Sequence, residues 1–243
     1  MSHIPVRFLT VNVNIINDQE MESLDTQGVY DYIKDQCVEN VEKFPENTEI
    51  IDLHQSGIFD IDLSIMEEFP KIKDLVLGYN KFILIDLKPL KDCPNLERIF
   101  FDRCMLAEID LSPLGCCKNL RLITFRSNYL EKIDLNGLNS CSKLEWIELP
   151  HNQLIQIDLA PLTNCQNLSY LALDDNKLMK IDLSPLSQCT KLKMLYLNNN
   201  ELEEIDLTPL KSCRILKQLH LYNNPLYSID TTPLNSLKNL EIR

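Results

Sequence analysis

The chain has 243 residues, 44% of them apolar, and a formal net charge of −12. That length allows one or two globular domains, and the sign of the charge speaks against a general nucleic-acid binder. No run of about 18 apolar residues occurs, so no membrane span is expected, and Val11-Asn12-Val13-Asn14 interrupts any apolar stretch of a signal peptide.

Residues 1–47 carry nine acidic against three basic residues, about half of the excess charge. The stretch Val6 to Ile16 is β-prone, with Asn12 and Asn14 alternating against Val11, Val13 and Ile15. Asn17 to Asp25 is polar and is expected to be a loop. Thr26 to Lys43 reads as an amphipathic helix, because Val29, Ile33, Cys37 and Val41 recur at every fourth residue. Asp25 or Thr26 can cap its start, and Pro45 follows its end.

From residue 48 the chain repeats. An anchor leucine or its substitute falls at Ile72, Leu96, Leu120, Leu144, Leu168, Leu192 and Leu216, and a degenerate copy begins at Thr48. These are eight tandem units of 24 residues, from 48 to 239, without insertion or deletion, and Leu240 starts a ninth strand. A fixed period of this kind decides the architecture as a solenoid. The cleanest copy, Leu144 to Gln166, reads Leu144, Ile147, Leu149, Asn152, Leu154, Ile157, Asp158, Leu159, Pro161, Leu162, Cys165.

The pattern L-x-x-L-x-L-x-x-N-x-L, continued here as I-D-L-x-P-L-x-x-C, resembles the leucine-rich repeat, and it covers about four fifths of the chain. The resemblance implies an α/β fold: a right-handed horseshoe with a parallel β-sheet on its concave face and short 3₁₀ or helical turns on its convex side. It also implies protein recognition as the usual use of that face. Residues 48–243 are then one elongated domain. Residues 1–47 are expected to be a capping segment of strand and helix that covers the open end of the first coil. The worn first unit, with Thr48, Ser56 and Phe69 at the leucine, asparagine and cysteine positions, fits a terminal repeat.

Within each unit the fourth and sixth residues (Ile147 and Leu149) are expected to point inward, and the third and fifth outward. An asparagine follows most strands, at 80, 128, 152, 176, 200 and 224, with Cys104 in the third unit. An amide both donates and accepts, which suits a turn that leaves backbone groups unpaired. In the Ile-Asp-Leu segments, Asp62, Asp86, Asp110, Asp134, Asp158, Asp182, Asp206 and Asp230 should project outward and need donors, lysines or a cation to relieve their repulsion. Hydrogen bonding is the favoured solution, since the glycine-rich context of calcium-binding nonapeptides is missing. Ser184-Pro185 and its equivalents read as a cap followed by proline at the first position of a short turn.

Six of the nine cysteines (93, 117, 141, 165, 189 and 213) share one repeat position. Stacked side chains that point the same way suit a disulfide poorly, so reduced thiols and a cytoplasmic location are expected. A straight ladder also cannot converge on a zinc tetrahedron, and no metal or other cofactor is expected.

The outward strand positions form the candidate binding face. Phe100, Leu122, Trp146, Tyr170, Met194 and Tyr196 draw an apolar diagonal with the single tryptophan at its centre. Arg98, Arg103, Arg121 and Arg126 gather on the third and fourth units, while Glu145, Glu148, Asp174 and Asp175 lie on the fifth and sixth. Tyr79 and His151 flank the strands. Aromatics, methionine and arginine are what interface cores enrich. The expected partner is a protein, with an acidic or phosphorylated patch over the arginines and an apolar anchor at Trp146. Nucleic acid and membrane are not expected partners. No phosphate loop, nucleophile triad or metal pair marks an enzyme. The leading expectation is a scaffold or adaptor. The alternative is a recognition or regulatory domain cut from a larger protein and controlling a signalling enzyme. The last coil lacks a polar cap, so a monomer or a dimer closed through that end is expected.

Overall fold

The structure is a computed structural model and describes residues 8–15 and 38–243. Two sheets organise it. In the first, β1 (Phe8–Ile15) and β2 (Val38–Pro45) run antiparallel, with Val11 opposite Glu42 and Val13 opposite Asn40. The other edge of β1 pairs with β4 (Ile58–Ile61), which follows β3 (Ile50–Asp52) in the first coil. The alternation in β1 sets its faces: Leu9, Val11 and Val13 are buried in the common core, and Asn12 is exposed.

This corrects one expectation. Val38 to Lys43, the end of the expected helix, belongs to strand β2. Pairing with a long-range partner, β1, outweighs the local helical period. The rest of that helix, 26–37, and the loop 17–25 lie outside the described residues.

The second sheet is the spine of the solenoid. It contains β3, β5 (Asp74–Val76), β6 (Arg98–Phe100), β7 (Leu122–Thr124), β8 (Trp146–Glu148), β9 (Tyr170–Ala172), β10 (Met194–Tyr196), β11 (Gln218–His220) and β12 (Glu241–Ile242), in chain order. From β3 to β11 each strand is parallel to the next and in register at one repeat: Ile50 with Asp74, Leu122 with Trp146, Met194 with Gln218. Between strands the chain returns through 3₁₀ segments such as Ser112–Cys116, Ala160–Asn164 and Ser184–Gln188. Proline at their second position presets φ for the turn.

The leucine ladder is fully inside. Leu144, Ile147, Leu149, Leu154, Leu162 and Cys165 have no exposed surface, and their equivalents form one continuous cluster. Phe101 and Phe125 take the sixth position in coils three and four and stack with ring centroids 5.5 Å apart. A single coil cannot close such a core, so stability rests on stacking neighbours.

Two further ladders carry the backbone around the bends. Each turn asparagine accepts an N–H from the preceding coil and gives its amide protons to two carbonyls. Asn152 accepts from Leu130 N at 3.1 Å and donates to Leu149 O and Phe125 O at 3.1 and 2.9 Å. Phe125 O also receives Asn128 Nδ2, so neighbouring asparagines share carbonyls and the ladder is interlocked. Cys104 keeps only the donor half, with Sγ on Leu77 O at 3.5 Å.

Each outward aspartate accepts the N–H two residues ahead. Examples are Asp110 to Ser112, Asp158 to Ala160 and Asp182 to Ser184, all at 2.8 Å. Ser184 and its equivalents are thus not caps: they lie within the turn and supply the N–H, to Asp62 as the N-cap of the first turn and elsewhere to the aspartate one residue before the N-cap. Ser and Thr hydroxyls and the same N–H groups hold the carboxyls of Asp62, Asp182, Asp206 and Asp230 below their usual range.

The six ladder cysteines are free and buried. Each Sγ lies against a carbonyl 27 residues back, at 3.3 Å for Cys117 on Leu90 O and 3.7 Å for Cys165 on Leu138 O. Burial pushes their thiols up to about 11 for Cys93, Cys141 and Cys213, and to about 12 for Cys117, Cys165 and Cys189.

Candidate functional site

The concave face is built from the third and fifth residues of each coil. Strand pairing at one repeat places side chains of the same position side by side, so unlike neighbours must find local solutions. Trp146 stacks on Tyr170 at 4.0 Å and 18°. Tyr170 meets Tyr196 edge to face at 5.3 Å, and Tyr196 stacks on His220 at 4.4 Å and 12°. Four rings from β8 to β11 thus form one unbroken aromatic run, extended at its end by Tyr222, 5.9 Å from His220. Such pairs add about 0.5–1.5 kcal/mol each beyond burial.

Polar tips hold the run in place. Trp146 Nε1 donates to Glu148 Oε1 at 2.6 Å, and the Tyr196 hydroxyl donates to Gln218 Oε1 at 2.5 Å while touching Met194 Sδ at 3.6 Å. Burial, with the charge of Glu148 beside it, raises the Tyr170 hydroxyl, which stays protonated. His220 is the exception: its Nε2 is buried without a hydrogen-bond partner, and burial lowers its pKa.

Phe100, Leu122, Trp146, Tyr170, Met194 and Tyr196 are all half-buried, so the expected diagonal does present partial surface on the sheet. Three outward positions do not. Asp74, Thr124 and Ala172 are buried. Arg98 covers Asp74 with two bonds, at 2.7 and 2.5 Å. The Thr124 hydroxyl donates to Asp102, which also accepts Arg126 N–H at 3.0 Å. Ala172 is too short to rise between Glu148 and Tyr196, the matching residues of the strands on either side.

The four arginines do not act as one patch. Arg98 is neutralised by Asp74, and Arg121 pairs with Glu145 at 2.7 Å. Arg103 lies over the ring of Tyr79 at 5.4 Å, a cation–π contact. Arg126 is exposed, and its guanidinium has no hydrogen-bond partner among the described residues. The arginines of this group left without a carboxylate partner among the described residues are therefore Arg103 and Arg126. Composition alone placed the charges together but could not show which carboxylate each arginine meets one coil away.

The eighth residue of each coil has a left-handed backbone, with φ between 49° and 58° at Gln55, Tyr79, Arg103, Ser127, His151, Asp175, Asn199 and Asn223. Asn, Asp and His are the non-glycine residues enriched in this region, whereas Tyr and Arg are uncommon there. On the acidic side His151, Asp174 and Asp175 converge, their ligand-type atoms all within 4.8 Å of one another. His151 Nδ1 is 3.7 Å from Asp175 Oδ2, and Asn199 Nδ2 donates to Asp175 Oδ1 at 2.9 Å. Burial and the adjacent Asp175 charge raise the Asp174 carboxyl. The sequence places His151 at the flank of the binding face. Its meeting with Asp174 and Asp175 follows from one-repeat stacking, since 151 and 175 differ by 24.

A second surface escaped the pattern reading. The twelfth residue of coils five, six and eight is Ile155, Met179 and Tyr227, exposed at 49, 56 and 82%. They line a flank hollow of about 570 Å³ with Lys180, Glu203 and Glu204. Glu131 and Glu203 at the same position in other coils break the periodic signal that would have marked them.

The parallel spine, the 3₁₀ returns and the asparagine turn together define a leucine-rich repeat protein. A family model described as the BspA type leucine-rich repeat region matches residues 107–241 in six copies, more than half of the chain, and the chain belongs to that family. Internalin C2 from Listeria monocytogenes is similar at 25% identity and a TM-score of 0.66, over 80% of this chain and 80% of that one. A leucine-rich repeat protein of Leptospira interrogans is similar at 20% identity and a TM-score of 0.55, over 74% of this chain and 50% of that one. The functional domain of InlJ from Listeria monocytogenes, described as including a cysteine ladder, is similar at 20% identity and a TM-score of 0.51, over 81% of this chain and 50% of that one. These last two likenesses show the fold alone, and this chain spans half of each. No curated protein matches the chain.

Proposed function

We propose that the concave face is a protein-binding surface and that the protein acts as a non-enzymatic scaffold or adaptor. The observation that carries this reading is the unbroken run Trp146–Tyr170–Tyr196–His220 on a sheet face with no covering segment among the described residues. Rings already locked against one another lose little entropy when a partner is added, which suits an anchor. The partner is a protein whose apolar side chain seats at Trp146 and whose acidic or phosphorylated group meets Arg103 and Arg126. The cytoplasm remains the proposed location. Its support is the ladder of buried, protonated thiols, which a reducing compartment preserves.

The test compares wild type with a Trp146→Ala/Tyr170→Ala double variant as bait in cell lysate, with Ile155→Ala as a control outside the concave face. Partners retained by wild type and by the control, and depleted at least tenfold by the double variant, support the proposal. Equal recovery by all three baits rejects the concave face as the site.

A further inference from the structure

We infer that His151, Asp174 and Asp175 form a binding site for one divalent transition-metal ion of the zinc type. The three side chains come from two adjacent coils and offer one imidazole nitrogen and two carboxylate oxygens, mutually within 4.8 Å.

The spacing is longer than a hydrogen bond, and it fits both a loose ion pair and two ligands of one metal ion. His151 Nδ1 and Asp175 Oδ2 lie 3.7 Å apart, too far for the roughly 2.7–3.2 Å of a hydrogen bond. Zinc–ligand distances of roughly 2.0–2.2 Å put neighbouring corners of a tetrahedron about 3.4 Å apart. The observed gap is thus close to the edge of a coordination polyhedron with its centre empty.

The surroundings orient the ligands. Asn199 Nδ2 holds Asp175 Oδ1 at 2.9 Å, and Asn223 Nδ2 in turn donates to Asn199 Oδ1 at 2.6 Å. That chain of amides fixes one oxygen of Asp175 and leaves Oδ2 facing His151. Ligating carboxylates are ordinarily held in this way by an outer partner. Asp174 is half-buried next to Asp175 in the chain, and a cation between two neighbouring carboxylates offsets their mutual repulsion.

Charge and ligand type select the ion. Two carboxylates and a neutral imidazole balance a charge of 2+. Calcium and magnesium prefer all-oxygen shells of about six or more ligands, whereas an imidazole suits zinc and its transition-metal neighbours. Three protein ligands leave one tetrahedral corner open for water or another group. The spacing His-x₂₂-Asp-Asp matches no local metal motif and brings ligands together only through a repeat period of 24.

The test uses the whole protein, stripped with a chelator and titrated with zinc chloride in a calorimeter. One zinc per chain is expected. His151→Ala, Asp174→Asn and Asp175→Asn each weaken binding at least tenfold, and Glu203→Gln leaves it unchanged. Asn199→Ala, a positioning residue, weakens it about 10–100-fold. Thermal melts without metal check that each variant folds. Cobalt in place of zinc gives the visible bands of a tetrahedral site, lost in His151→Ala. The site is overturned by no saturable zinc uptake by wild type, or by uptake unchanged in His151→Ala/Asp174→Asn. Loss of uptake in Cys116→Ala instead assigns the zinc to thiols and overturns it equally.

Discussion

The asparagine turn and the concave strand face lie within a few residues of each other in every coil, and they follow opposite rules. At the turn, six coils use the same residue for the same contacts, and Asn152 repeats what Asn128 and Asn176 do. On the face, no residue type recurs at the third position from Ile50 to Gln218, or at the fifth from Asp52 to His220. Partners there are pairwise: Arg98 with Asp74, Trp146 with Tyr170, Tyr196 with His220. Identity along a ladder marks a backbone requirement that every coil shares. Variety along a ladder marks positions that the fold leaves free, and these are where recognition can be written.

The largest effect is expected from removing one rung of the asparagine turn. Asn152→Ala orphans the buried N–H of Leu130 and deletes bonds to Leu149 O and Phe125 O. An unpaired buried donor costs about 1–3 kcal/mol, and each lost bond about 1 kcal/mol. Asn128 and Asn176 still hold the two carbonyls. A loss of about 3 kcal/mol or more is expected in urea unfolding. A loss under about 1 kcal/mol would mean that the ladder follows the fold and does not support it.

Changes on the face should split binding from stability. Trp146→Ala removes the stack on Tyr170 and the bond to Glu148. A central aromatic anchor contributes about 2 kcal/mol or more to binding, roughly a thirtyfold change in affinity. The stack itself contributes only about 0.5–1.5 kcal/mol to folding. Affinity for a captured partner, measured beside a urea melt, is expected to fall far more than stability. An equal fall in both would make Trp146 a structural residue. Between these extremes, Cys104→Asn restores the amide at the one interior turn that lacks it. It is expected to stabilise the protein by about 1 kcal/mol, read as a shift in the urea midpoint.

The same contrast explains what could be read from the sequence. Solenoid, register, inward leucines and the asparagine and cysteine ladders follow from a period of 24, because periodic demands leave periodic residues. Strand β2 was missed because a terminal segment has no second copy to fix its register, and its pairing with β1 is long-range. On the face, the register shows which residues lie at the outward positions of the strands but not which neighbour each one meets. Arg98 looked available until Asp74 closed on it, and Asp74 looked exposed until Arg98 covered it. His151 and Asp175 looked like separate flanking residues because their proximity depends on the left-handed turn at both.

The smallest expected effects come from two aspartates that differ in the same way as the two regions do. Asp182 belongs to the repeated ladder, and the Ser184 hydroxyl and N–H lower its pKa in the folded protein. A lowered carboxyl contributes stability above its unfolded value, and that contribution is lost as pH falls through the folded value. Asp182→Ala is therefore expected to melt earlier at pH 7, with the difference closing as pH drops below the ordinary 3.8. Asp174 belongs to the face, and burial raises its pKa. Its contribution has the opposite sign: it is fully present below 3.8 and is lost as pH rises through the raised value. Asp174→Asn removes the penalty and is expected to melt slightly later at pH 7 in the absence of metal, with the gain disappearing below 3.8. Melting curves across pH for both variants test the pair. If Asp174→Asn melts earlier than wild type at pH 7, the carboxylate supports folding, and the contrast between ladder and face fails at that position.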